Sequence, residues 1–263
     1  MVLTRQIRII QDSRPLQYLG AAFACVHIVI FLSGIITLWW IPYFLSSDSV
    51  PICPAFFENC YQYRLSFETW KWLWYGYGIL AFLGPALFLL KKIRSAYFLL
   101  LLLVVFEIFV TFADYRIWYS HFYISSVVVL PFLFFADKPR LSAMTLALCY
   151  WWAGILKLNH WWLSGEVLQK AWKIFPQWLS FQTSFVVFME LFLVWLLFSK
   201  RPKVFWPTFG VFVLFHLFSW HIVGFFYPLV MFCVLPVFLV NYRWQASARK
   251  GFLRLTSLIF LAT

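Results

Sequence analysis

A single lysine, Lys157, lies in the apolar stretch YWWAGILKLNHWWLSGE, which spans residues 150–166. Two roles are open to a lysine in such a position. Its charge can anchor a helix end at the membrane surface while its aliphatic stem stays in apolar surroundings. Alternatively, a site of low dielectric favours the neutral amine, which can act as a general base. Position alone leaves both roles open.

Few other polar side chains occur at membrane depth, where each one is costly and therefore a candidate for function. These candidates are Glu107, Asp114, Arg116, His121, Asn159, His160, Glu190, His216, His221 and His27. Simpler roles exist for each, since Asp114 can pair with Arg116, the histidines can be core residues, and Glu107 and Glu190 can join helices.

The histidines suit proton chemistry better than metal binding. His121 or His216 can orient a substrate hydroxyl or stabilise an oxyanion. His216 and His221 are five residues apart, which is a poor spacing for two metal ligands on one helix. The chain has no HExxH motif, nucleophile elbow or phosphate loop. We therefore predict no metal site.

The composition indicates what must hold these residues in place. Of the 263 residues, 64% are hydrophobic and 11% are charged, against about a quarter charged in a soluble domain. The lipid bilayer is therefore the expected partner, and the chain is expected to be an integral membrane protein. A net charge of +12 could indicate nucleic acid, but no aromatic–basic RNA motif occurs, so we predict no nucleic-acid partner.

Hydropathy predicts an all-α, polytopic helical bundle of about eight spans, forming a single transmembrane domain over residues 1–263. A span needs about 20 apolar residues. The predicted spans are 16–43, 69–90, 95–113, 120–136, 141–158, 178–198, 204–221 and 224–241. Residues 251–263 are apolar but too short to span, and predict an interfacial segment or the start of a ninth helix.

The basic residues predict the topology. In the eight-span arrangement, one side carries 15 of the 21 lysines and arginines. These are Arg5, Arg8, Arg14, Lys91, Lys92, Arg94, Lys138, Arg140, Lys200, Arg201, Lys203, Arg243, Arg249, Lys250 and Arg254. The positive-inside rule makes this side cytoplasmic and includes the N-terminus in it. Lys157 and the ends of the spans that carry Asp114, His121, His216 and His221 are then extracytoplasmic.

The predicted external side also carries a loop with two cysteines. Cys53 and Cys60 form a C-x6-C pair, which predicts a disulfide in an oxidising compartment, although two free thiols are the alternative. Several tryptophans, including Trp118 and Trp162, fall near the same side. They are typical of an interfacial aromatic belt or of a pocket that binds a ring.

Three stretches resemble one family in order and spacing. AGILKLNHWWLSG resembles the A-G-x-x-K-L-(D/N)-x-x-W-x-x-G signature of the vitamin K-dependent gamma-carboxylase family and of its transmembrane part, the HTTM domain. DYRIWYSHFYI, residues 114–124, resembles the D-x-x-x-W-x-N-H-x-Y-L segment, and FHLFSWHIVGFFYPLVM, residues 215–231, resembles the later histidine segment. The resemblance covers about residues 12–242.

The resemblance implies a function for these residues. Such carboxylases use a reduced vitamin K hydroquinone, oxygen and carbon dioxide to carboxylate peptide glutamate, and release the quinone epoxide. Lys157 matches the catalytic lysine, and His121 and His216 match the family histidines. The implied cofactor is vitamin K hydroquinone or another quinol. Candidate substrate-binding residues beside these are Asp114, Trp118, Asn159, His160, Trp162 and His221.

The sequence departs from the family in ways that keep a second hypothesis open. Ser120 replaces the asparagine before the family histidine, and the soluble domain that follows the membrane part of the carboxylases is not in this sequence. A peptide substrate or a separate soluble protein is therefore an expected partner, in a bacterial-type inner membrane. The alternative is a non-catalytic membrane subunit in peptide maturation or export. A transporter ranks lower, because no inverted repeat of broken helices is visible.

Overall fold

The computed structural model describes residues 2–36, 40–47, 49–50, 52–53, 62, 64–117, 120–166 and 178–244. Within these ranges the chain contains no β-strand, only an isolated bridge between Ser46 and Leu65. The all-α bundle predicted from the sequence is therefore confirmed. The helices are α1 (Val2–Gln11), α2 (Arg14–Ile36), α3 (Trp40–Leu45), α4 (Phe67–Leu89), α5 (Ile93–Ala113), α6 (Ser120–Phe134), α7 (Lys138–Leu156), α8 (His160–Leu163), α9 (Leu179–Phe188), α10 (Val194–Leu196), α11 (Pro202–Val223) and α12 (Phe226–Val234).

Six helical stretches of the described residues are long and apolar enough to cross a membrane, so the chain is a multi-pass membrane protein. This number is lower than the eight predicted, although helices occupy all eight predicted positions. One reason is that α6 has only 15 residues. The other is that α7, with 19 residues, is less apolar because its first turns carry Lys138, Arg140, Ser142 and Thr145.

The predicted first span, 16–43, covers α2 and the start of α3, and residues 37–39 between them lie outside the described residues. Helix α2 ends at Ile36, and a separate short helix, α3, begins at Trp40. Pro42 lies in the first turn of α3, where its missing N–H costs nothing, whereas inside a continuous helix it would break a hydrogen bond. The predicted terminal segment, 251–263, lies outside the described residues.

One end of the bundle, the basic face, contains helix ends whose lysines and arginines form no ion pair with a described carboxylate. Arg14 and Arg243 line one surface cavity there, and Arg140 and Lys200 line another. The Tyr97 hydroxyl donates to the Leu133 carbonyl at 2.7 Å, which brings the start of α5 beside the end of α6. The structure thus groups the basic residues as the charge pattern predicts.

Helix α1, which the sequence did not predict, is attached to this face by a buried lysine. Lys138 Nζ donates to Gln6 Oε1 at 2.8 Å and to the Phe132 carbonyl at 2.7 Å. The ammonium therefore lies against the carboxyl end of α6, where the helix dipole favours a cation. Arg5 and Arg8 lie on the exposed side of α1.

The opposite end, the Lys157 face, is where α2 and α5 end and α4 begins. Arg64, just before α4, donates to Ser46 after α3 and to Asp114 after α5. Helix α7 begins at the basic face and rises about 28 Å over its length, so Lys157 lies at this opposite end.

The core of the bundle is built around α2 and α4, which pack more extensively than any other pair of helices. Their axes approach closely because small residues face large rings. A methyl group at Gly34 of α2 would lie 2.5 Å from the Trp74 ring of α4. Small residues at such contacts are typical of membrane helices, whose association depends on close packing.

Candidate functional site

The segment around Lys157 ends one helix and begins another. Lys157 is the C-cap of α7, and its backbone N–H donates to the carbonyls of Ala153 and Gly154. The Asn159 side chain then accepts a hydrogen bond of 3.0 Å from the Trp162 N–H and so caps α8. The lysine therefore sits at a defined break between two helices.

Lys157 is paired with a buried carboxylate. Its Nζ donates to Glu190 Oε1 at 2.7 Å and to Oε2 at 2.6 Å. The lysine side chain is 22% exposed and the glutamate side chain 3%. The isolated amine expected from the sequence is thus one half of an ion pair without net charge.

Local helix geometry brings Glu190 to this position. It lies in a π-helical segment, Met189–Leu193, between α9 and α10, and such bulges often occur at functional sites. On the facing helix, a methyl group at Gly154 would lie 2.9 Å from Leu191 and 3.1 Å from the Glu190 Cβ. The glycine lets the two backbones approach closely enough for the ion pair to form.

An aromatic ring covers the pair. Lys157 Nζ lies 5.2 Å from the centroid of a Trp162 ring, within the range of a cation–π contact. Trp162 is fixed in turn, because its Nε1 donates to the Thr183 carbonyl of α9 at 3.3 Å. Helix α8 therefore forms a short cover over Lys157.

A second pair of polar side chains joins α7 to α11. The Tyr150 hydroxyl and His216 Nε2 share a hydrogen bond of 2.5 Å, and both residues are buried. The other ring nitrogen of His216, Nδ1, is buried and has no hydrogen-bond partner among the described residues. Buried polar atoms are normally satisfied, so Nδ1 is a candidate partner for a polar group that the described residues do not supply.

The two pairs belong to one site. The charge of Lys157 is close enough to act on His216, and the charge of Glu190 is close enough to act on Tyr150. The charge of Glu190 is also close enough to act on Tyr227 of α12, whose ring centroid is 5.8 Å from that of His216. Acid, base and hydroxyl groups thus lie in the same part of the bundle, in apolar surroundings.

Of the three predicted catalytic residues, Lys157 contacts Glu190 and His216 contacts Tyr150, and no direct contact joins Lys157 to His216 among the described residues. His121 lies in the first turn of α6, where its ring packs against Phe122 at 4.7 Å between centroids. Tyr123, two residues further on, is within electrostatic range of Tyr227. The start of α6 is therefore close to the site, and the role of His121 remains a prediction.

Asp114 holds the polar loop on the Lys157 face. Its carboxylate, fully buried, accepts hydrogen bonds from Arg116 at 2.6 and 2.9 Å and from Arg64 at 2.8 Å. The hydrogen bond to Asp114 raises the pKa of Arg116, whereas burial lowers the pKa of Arg64. Both guanidinium groups also contact Ser49, so this ion triad links the loop to α5. A role of Asp114 in substrate binding stays a prediction.

The other predicted binding residues are placed in different ways. Asn159 serves as a helix cap, and His160 is largely exposed, 3.7 Å from Glu166. Trp118 and the side chain of His221 lie outside the described residues.

Of the predicted cysteine pair, Cys53 is disulfide-bonded, and Cys60 lies outside the described residues. Cys25, Cys149 and Cys233 are free and partly buried.

Sequence reasoning did not assign Glu190 and Tyr150 to the site. Glu190 was visible as a carboxylate at membrane depth, which is itself a signal of function. Tyr150 lies seven residues before Lys157, two helical turns along the same side of α7. That spacing could have placed it on the same side of α7 as the lysine, about 10 Å away along the helix axis.

A second buried polar cluster joins four other helices. His27 Nδ1 of α2 lies 2.9 Å from the Tyr77 hydroxyl of α4 and 3.3 Å from Glu107 Oε2 of α5. Ser125 of α6 donates to the other oxygen of Glu107. His27 and Glu107 were predicted only as separate candidates. Their contact offsets part of the cost of two polar groups in the core of a membrane bundle, while His27 Nε2 and Glu107 Oε2 have no hydrogen-bond partner among the described residues.

Comparisons with protein-family models, with curated proteins and with solved structures found no match to this chain. The functional reasoning therefore depends on the residues of the site.

Proposed function

We propose that this protein is a membrane enzyme that removes a proton from a hydroxyl of a lipophilic, quinol-type substrate at the Lys157–Glu190 pair. The observation that carries the proposal is the orphaned, buried Nδ1 of His216 within a cluster of acid, base and hydroxyl groups. Such a nitrogen can hold a substrate oxygen while the pair takes the proton.

Each group of the site has a separate role in the transfer of the substrate proton. The substrate O–H bond breaks, and its proton passes to the Lys157–Glu190 pair, which changes from zero net charge to +1. The substrate oxygen becomes an anion, so the total charge of the site does not change. His216 is positioned by Tyr150 to orient the oxygen, and Trp162 limits the access of water to the lysine.

The residues fit a hydroxylated aromatic ring. The site contains hydrogen-bonding atoms within an otherwise aromatic wall that includes Tyr150, Tyr227 and Phe232 around His216. A quinol supplies the acidic hydroxyl and the capacity to react with oxygen. The resemblance to vitamin K-dependent gamma-carboxylases extends the proposal to carboxylation of peptide glutamate, with the peptide or a separate soluble protein as partner.

The proposal places the site at the extracytoplasmic side of a bacterial-type inner membrane, with the N-terminus cytoplasmic. Its support is the separation of the basic face from the Lys157 face, since unpaired cations accumulate on the cytoplasmic side of membrane proteins.

The test is turnover of a reduced menaquinone or vitamin K by the purified full chain with oxygen, followed by mass spectrometry of quinone and epoxide. Lys157→Ala and Glu190→Gln are expected to lower the rate by about 100-fold or more, the usual contribution of a general base. Lys71→Ala is the matched control, because Lys71 pairs with exposed Glu68 on the same face. A glutamate peptide with labelled carbon dioxide tests the carboxylation step separately.

A non-catalytic membrane subunit is the second candidate. The observation in its favour is that Lys157 is fully engaged by Glu190, as a lysine with a purely structural role would be. The hypothesis of a non-catalytic subunit predicts no quinone product from the wild-type chain. It also predicts that Lys157→Ala lowers the stability of the protein or its assembly with a partner.

A further inference from the structure

A cavity of about 800 Å³ opens at the basic face, far from the Lys157 site. It lies between the start of α7, the turn after α10 and the end of the helical stretch 236–244 that follows α12. Its lining combines charged, aromatic and apolar side chains. The lining includes Asp137, Arg140, Met144, Trp195, Phe198 and Lys200.

Two cations line this cavity without a carboxylate partner. Arg140 and Lys200 are exposed and form no ion pair with any described residue. By contrast, each described lysine or arginine of the Lys157 face has a carboxylate within 2.8 Å. The cavity is therefore a place where positive charge is left for an external anion.

The remaining walls match the rest of a lipid molecule. Met144, Trp195 and Phe198 provide an apolar wall beside the cations, and tryptophans are typical of the level of lipid headgroups. Basic pockets between membrane helices bind anionic headgroups. The charge and the position at a helix end of a multi-pass membrane protein both favour a lipid as the occupant.

We propose that this cavity binds one anionic phospholipid, with its phosphate between Arg140 and Lys200 and its acyl chains along Met144 and Phe198. The single carboxylate of the cavity, Asp137, opposes this binding. Asp137 is the N-cap residue of α7, but its side chain makes no capping hydrogen bond. Its charge can therefore be removed without loss of a cap.

The test uses the full chain in lipid-depleted detergent, titrated with pyrene-labelled phosphatidylglycerol, with energy transfer from tryptophan as the signal. Near an anionic surface each basic residue contributes a factor of roughly five in affinity. Arg140→Gln with Lys200→Gln is thus expected to weaken binding roughly 25-fold, and Asp137→Asn to strengthen it roughly fivefold.

Controls separate this site from the general charge of the face. Lys91→Gln with Arg94→Gln removes the same charge from exposed positions of the basic face outside the cavity, and should leave affinity unchanged. Pyrene-labelled phosphatidylcholine should bind at least 25-fold more weakly to the wild type. Competition by glycerophosphate as strong as that by phosphatidylglycerol would identify a free-phosphate site instead. Equal losses in both double variants, or no gain with Asp137→Asn, would overturn the proposal.

Discussion

Removal of the charge of Lys157 is expected to destabilise the protein more than removal of the charge of Glu190. The two side chains form one ion pair, but they differ in their access to water. The Lys157 side chain is 22% exposed at a helix end, whereas that of Glu190 is 3% exposed inside the π-helical segment. The variants to compare are Lys157→Met, Glu190→Gln and the double variant.

The difference in exposure between the two side chains determines how much stability each substitution costs. Lys157→Met leaves a buried carboxylate without a partner, which costs about 3–5 kcal/mol. Glu190→Gln leaves a lysine that can extend its flexible stem towards water, so its cost is closer to that of an exposed pair, about 1 kcal/mol. The double variant has no unpaired charge, and we expect it to be more stable than Lys157→Met alone by about 2 kcal/mol.

The measurement is the apparent free energy of unfolding in mixed micelles as the denaturing detergent fraction rises. Lys71→Met is the matched control, because its partner Glu68 is 65% exposed, and its cost should stay below about 1 kcal/mol. An equal loss of unfolding free energy in Glu190→Gln and Lys157→Met would refute this prediction. The prediction also fails if the double variant is the least stable of the three.

Three further substitutions test contacts around the site and the bundle. Gly154→Val places side-chain atoms against Leu191, and should cost about 1–3 kcal/mol of stability and lower the proposed turnover. Lys138→Met leaves the Gln6 side chain and carbonyls of α6 without their donor, at about 1–3 kcal/mol, and hydrogen exchange should then show loss of protection in α1. Asp114→Asn leaves two arginines without a carboxylate, and exchange in residues 44–53 should rise at least tenfold, whereas an unchanged rate would exclude the loop-holding role.

The hydropathy of the chain predicted where the helices lie but not how long each is. Apolar runs separated by more polar segments place helices at all eight positions, since each run must satisfy its own backbone in lipid. The hydropathy did not predict helix α1. Helix α1 is only ten residues long, and its attachment depends on Gln6 meeting Lys138, 132 residues away.

The candidate site was predicted in part because Lys157 and His216 are rare polar residues in apolar helices. Glu190 was harder to place, since the π-helical segment adds a residue to one turn. Such an insertion rotates the helix by about 100° relative to a regular α-helix. The side on which Glu190 lies therefore cannot be derived from a period of 3.6 residues. The pairing of His27 with Glu107 depends on contacts between helices that composition does not specify.

The distribution of ion pairs gives the two faces different chemistry. In the described part of the chain, every carboxylate-paired lysine or arginine lies on the Lys157 face, and those of the basic face have no carboxylate partner. Matched charges leave a site with little attraction for ions, so a neutral hydroxyl that exchanges a proton suits the Lys157 pair. Unmatched cations attract anions, and at a membrane surface the abundant anions are lipid headgroups. One bundle can thus hold a proton-transfer site at one face and a lipid-anchoring site at the other without electrostatic conflict.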